Sequence, residues 1–97
     1  MAYDPGAIDA TLAAAVGDEP QLIAELRQAF VEGVQRGLTG LEMAPDGDHW
    51  RIAAARLKGL AASFGAVRLM ALASEAIEGV PHDAVLLRKL RRVVARL

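Results

Sequence analysis

The stretch AAARLKGLAASFGA spans Ala53–Ala66, and WRI (Trp50–Ile52) leads into it. At about 100° per residue, with Leu57 as reference, Trp50, Ala53, Ala54, Leu60, Ala61 and Phe64 all fall within about 60° of Leu57. That stripe holds the chain's one tryptophan and one of its two phenylalanines, so it predicts a helix with a complete core face. The opposite face gathers Arg51, Ile52, Ala55, Gly59, Ala62 and Ser63, with Lys58 on one edge and Arg56 on the other. A solvated helix face is ordinarily rich in Glu, Lys and Gln. This one is small and apolar with cationic margins, and an interior glycine costs a helix about 1 kcal/mol relative to alanine. A face of this kind suits close approach by another backbone, from the same chain or from a partner. Because the core stripe is complete on the other side, a partner is the expected occupant.

Working outward from this helix, apolar residues recur at three and four along the chain and strand signals are absent, which predicts an all-α protein. Ile8, Leu12 and Val16 mark a short first helix ended by Gly17, and Asp18 is the expected cap of the next, with Glu19 and Pro20 in its first turn. The second helix carries Leu22, Ile23, Leu26, Phe30, Val34, Leu38 and Leu41 to about Met43, and Gly33, Gly37 and Gly40 are expected to fray or bend its later turns. APDGD (Ala44–Asp48) reads as a turn, with Asp48 capping the third helix. Gly65 breaks that helix. Ala66 opens a fourth, carrying Leu69, Leu72, Ala73, Ala76 and Ile77 and ended by Gly79 and Pro81. The last helix starts near His82 or Asp83 and carries Val85, Leu86, Leu90, Val93, Val94 and Leu97. The expected architecture is one domain over residues 1–97: an antiparallel up-and-down four-helix bundle with the short first helix as a cap.

Composition narrows the functional classes. With 97 residues, 54% hydrophobic and 24% charged, the chain suits one folded domain with a modest core. Cysteine is absent, which removes disulfides, thiolate zinc sites and cysteine nucleophiles. No apolar run is long enough for a membrane span, and MAYDPGAIDA has no basic leader, so a cytoplasmic protein that does not enter membranes is expected. Two histidines and scattered carboxylates form no metal-ligand cluster, no phosphate-binding loop is present, and no cofactor is expected. Glu75 and Glu78 read as a solvated face rather than a catalytic pair. Charge is polarised: residues 1–48 carry nine acids and two bases, residues 49–97 three acids and nine bases. That polarity either orients a charged partner or reflects oppositely charged helices lying side by side. LLRKLRRVVARL (Leu86–Leu97) raises nucleic-acid binding through Arg88, Lys89, Arg91, Arg92 and Arg96. Only 4% of residues are aromatic, which argues against base stacking. Pairing with the acidic second helix is the expected role of these cations.

ARLKG (Ala55–Gly59) followed by FGAVRLMAL (Phe64–Leu72) resembles the signature of histidine-containing phosphotransfer (HPt) domains, HxLKG and then GAxxLxxL. GDEPQLIAELRQAF (Gly17–Phe30) is similar to the start of that family's long second helix, and GDHW (Gly47–Trp50) to the turn into its active helix. The resemblance covers about Ile8 to Ile77. It implies a helical bundle whose exposed histidine takes a phosphoryl group from the aspartate of a response-regulator receiver domain and passes it on, with a sensor histidine kinase as a further partner. It implies that Lys58 supplies charge beside the phosphate and that Gly59 gives the receiver clearance. The family's histidine position is Ala55 here, and a methyl group offers no lone pair to attack phosphorus. The chain is therefore expected to be a non-enzymatic pseudo-phosphotransfer module with no catalytic residue. Ala55 is either a natural loss or a His-to-Ala replacement in a carrier.

No other residue takes the missing role. His49 lies about 9 Å back along the axis and about 120° around the helix from Ala55, and His82 is far along the chain; both read as solvated or capping histidines. Ser63 is two turns from Ala55. The expected partner-binding set is Arg51, Ile52, Ala55, Arg56, Lys58, Gly59, Ala62 and Ser63. The alternative from another class is a structural or dimerising bundle that uses the Ala55/Gly59/Ala62 face. Oligomeric state is left open.

Overall fold

A computed structural model describes residues 5–17 and 19–97. Five helices follow one another: α1 (Pro5–Val16), α2 (Pro20–Glu42), α3 (Gly47–Ser63), α4 (Val67–Glu78) and α5 (Ala84–Ala95). No strand occurs among the described residues. Each helix packs on the next in sequence, and α2 also meets α5, so α2 to α5 surround a shared core. At 1.5 Å per residue the 23-residue α2 is about 35 Å long and sets the 42 Å long axis of the molecule.

The core is apolar throughout. Trp50, Phe30, Ile8, Leu41, Leu57, Leu69, Leu72, Leu90 and Val34 are its largest fully buried side chains, and no polar or charged described residue is buried. The third helix follows its predicted wheel: Trp50, Ala54, Leu57 and Ala61 are buried, while Ala53, Leu60 and Phe64 pack partly covered against them. Two side chains fix its ends. Near the start, buried Trp50 donates from Nε1 to the Ala76 carbonyl at 2.8 Å, tying α3 to the last turns of α4. Beyond the other end, Phe64 stacks on Phe30 of α2 at 4.5 Å.

The α2 glycines depart from expectation. The helix runs unbroken to Glu42. A Cβ at Gly33 would come within 3.2 Å of Leu60 Cδ2, and one at Gly37 within 3.1 Å of Leu57 Cδ1. These glycines let α3's leucines seat against the α2 backbone; they are packing features rather than weak turns. The descending register (Gly33 opposite Leu60, Gly37 opposite Leu57) shows that α2 and α3 run in opposite directions.

Helix ends are sharper than their composition suggested. Asp46, not Asp48, caps α3; its carboxylate accepts from the His49 backbone N–H at 2.8 Å. An N-cap residue precedes the helix and accepts from an N–H two or three residues on, whereas Asp48 sits inside the first turn, where it pairs with Arg51 at 2.8 Å. At the α3 C-terminus, Gly65 adopts φ +71°. Its N–H bonds Ala62 O at 3.3 Å and the Ala66 N–H bonds Ala61 O at 2.9 Å, the paired bonds of a Schellman stop. Glu19, extended and without a side-chain cap bond, precedes α2; the expected cap Asp18 lies outside the described residues. Asp83 caps α5, accepting from Val85 N and Leu86 N.

Within α5 one expected core residue is misassigned. Val85 is 55% exposed, and Leu87 is buried in its place. The buried set Leu86, Leu87, Leu90, Val93 and Val94 has one-face spacing, whereas Val85 lies about 140° from Leu90 on the wheel.

Candidate functional site

The outward face of α3 is built by the packing of its other side. With Trp50, Leu57 and Ala61 locked in the core, helical geometry leaves Arg51, Ile52, Ala55, Arg56, Lys58, Gly59, Ala62 and Ser63 exposed, and all eight are. Ala55 and Gly59 lie one turn apart at the centre, flanked by Ile52, which is 50% exposed, and by Ala62. No other helix of the described chain covers this strip.

Gly59 differs from Gly33 and Gly37 of α2 and shares its open surroundings with Gly40. A Cβ placed there would meet nothing within 4 Å. It sits in the middle of an unbroken helix, and no contact among the described residues accounts for a residue that weakens the helix there.

The polar residues divide into committed and uncommitted groups. Arg51 donates from NH2 to Asp48 Oδ1 at 2.8 Å and turns toward the helix N-terminus, away from Ala55. Ser63 donates from Oγ to the Gly59 carbonyl at 2.9 Å, so its hydroxyl is held against the helix backbone. Arg56 and Lys58 form no ion pair among the described residues and leave two uncompensated cations beside the Ala55–Gly59 strip. The strip therefore carries positive charge on both edges around an apolar, sterically open centre.

Neither histidine reaches this strip. The His49 ring joins the helix cap, Nδ1 lying 2.7 Å from Asp46 Oδ1. The His49 backbone N–H, and then its ring, hold the Asp46 carboxyl below the ordinary carboxylate range. His82 has a structural role the sequence did not disclose. It occupies the left-handed region at φ 62° in the α4–α5 connection. Its Nε2 lies 2.7 Å from the Ala44 carbonyl, which can only accept, so Nε2 carries the proton and donates. The ring lies 5.0 Å from that of Trp50. His82 thus ties the α4–α5 connection to the α2–α3 turn and covers the tryptophan.

Among the described residues, no group of three or more His, Asp or Glu could hold a metal ion, and no helix is long and apolar enough to cross a membrane. No family model, no curated protein and no solved structure matches this chain.

Proposed function

We propose that the chain is a receiver-docking module of a two-component phosphorelay, of the HPt type, that presents its docking face without a phosphoacceptor. Gly59 carries the reading: an exposed interior glycine with open space around it, one turn from Ala55 on the small-residue face, leaves room for another molecule to approach α3 closely. Lys58 and Arg56 place charge beside the point of approach, where an aspartyl phosphate on the partner would gain from it. Ala55, at the position where the signature has histidine, offers the partner a methyl group and no nucleophile. In this reading α2 to α5 form an antiparallel up-and-down four-helix bundle, with α1 as its N-terminal cap. The module works in the cytoplasm, regulating a receiver by occupancy rather than by accepting its phosphoryl group.

Titration against receiver domains of the same cell, each with and without the beryllofluoride that mimics aspartyl phosphate, tests this. At least one receiver is expected to bind saturably, and Gly59→Leu is expected to weaken it by about tenfold or more. Gly40→Leu is the matched control, since a Cβ at Gly40 also meets nothing within 4 Å but lies on α2; it should leave binding unchanged. A tight homodimer abolished by Gly59→Leu, with no receiver binding, would establish the dimerising bundle instead.

A further inference from the structure

The second cationic surface lies on α5 and does not depend on the reading of α3. Pairing with α2 was the expected role of the α5 cations, and it holds for one of them: Arg91 donates from Nε to Glu42 Oε2 at 2.6 Å. Arg88, Lys89, Arg92 and Arg96 are exposed and form no ion pair among the described residues. With Leu90 as reference on the helical wheel, Arg91 sits about 100° round, toward α2, and Val85, Arg88 and Arg92 lie within about 40° of the point opposite the core. Lys89 and Arg96 fall on the far edge. The helix Ala84–Ala95 contains no acid, and the carboxylate of its cap, Asp83, is committed to Val85 N and Leu86 N.

The stripe has an apolar end. Val85 and Val80 are 55% and 70% exposed. A groove of about 220 Å³ runs between them, and a second of about 240 Å³ is lined by Val85, Arg88, Lys89 and Arg92. Val85 and Lys89 wall both, so the two adjoin and make a trough along the helix.

We propose that this trough docks an acidic amphipathic segment of a partner protein, with carboxylates on Arg88, Lys89, Arg92 and Arg96 and an apolar side chain between Val80 and Val85. Complementarity of charge and shape favours that occupant over other polyanions. Nine of the twelve acids lie in residues 1–48 and α4 adds Glu75 and Glu78, so a long nucleic acid or an anionic bilayer that extends past the stripe also meets carboxylates. Glu75 lines the trough near Val80 and bounds the cationic zone at one end. A short segment can stay between these limits, where a duplex cannot. The valines also have no use for a phosphate backbone.

The probe is a fluorescein-labelled, alanine-based helical peptide of roughly 18 residues with glutamates at four-residue intervals and a leucine at each end. Anisotropy is expected to show saturable binding to the whole chain. Arg88→Glu with Arg92→Glu should weaken it about tenfold or more, as should Val85→Asp. Raising salt from about 0.05 M to 0.3 M should weaken it several-fold. Arg56→Glu with Lys58→Glu, on α3, should not alter it. Arg88→Gln with Arg92→Gln repeats the test without charge reversal, and unchanged thermal melts show that the fold is kept. Absence of peptide binding, or equal binding by the α5 double variants, would overturn the proposal. So would tighter binding of a DNA duplex or of phosphatidylserine vesicles that the same variants abolish, which would assign the stripe to nucleic acid or lipid.

Discussion

Four helical glycines and Gly65, which ends α3, have different physical roles, and single substitutions separate them. At Gly59 and Gly40 the space is open, so Gly→Ala is expected to stabilise the protein by about 0.5–1 kcal/mol, read from urea melts. At Gly37 a new methyl group presses on Leu57, which is 1% exposed and hemmed in, so Gly37→Ala should destabilise by about 1–2 kcal/mol despite its helix propensity. At Gly33 the neighbour is the partly buried Leu60, which has room to yield, and Gly33→Ala should be near neutral. Gly65→Ala should cost about 1–2 kcal/mol, because φ +71° crowds any Cβ. His82 also occupies the left-handed region. His82→Ala should therefore lose about 1–2 kcal/mol with a change in Trp50 fluorescence, and His82→Gly less. None of the His82 role could be read in advance, because both its partners, Ala44 and Trp50, are more than thirty residues away.

At the scale of the helix, α3 was the most legible element and α2 the least. The two faces of α3 follow from its own spacing, since Trp50, Leu57 and Ala61 define a stripe without reference to any neighbour. Gly33 and Gly37 of α2 have meaning only once Leu60 and Leu57 lie against them, so local propensity alone mistook packing for weakness there. The cap of α3 was off by two residues because APDGD offers two aspartates, and only register distinguishes an acceptor for the His49 N–H from a partner for Arg51. The cap also makes a pH prediction. The Asp46 carboxyl is held below its ordinary value of 3.8 in the folded state, so its contribution is fully present above that value and is lost as pH falls through the lower folded value. Wild type is expected to melt higher than Asp46→Ala at pH 6, and the difference should shrink progressively as pH falls below 3.8.

For the whole molecule, the all-helical class and most of the core were legible because the apolar period is regular from α2 to α5. What the chain does with its surface was legible only in part. Charge polarity between the halves invited the idea that α2 neutralises α5, yet geometry allows this for Arg91 alone and leaves the other α5 cations facing outward. The α3 strip was readable because a glycine and an alanine in an exposed row contrast with a solvated helix. Two surfaces on different helices then have separate physical signatures: an open, small-residue strip on α3 and a charged trough on α5. We propose that the first is a phosphotransfer docking face from which only the acceptor is missing. Its most direct test is to make Ala55→His, incubate the variant with a radiolabelled phosphorylated receiver, and assay for acid-labile, base-stable label. Label is expected on Ala55→His, none on the chain with Ala55, and none on Ala55→His combined with Gly59→Leu. Label on the chain with Ala55, or none on Ala55→His with a receiver that binds it, would rule out a phosphotransfer docking face on α3.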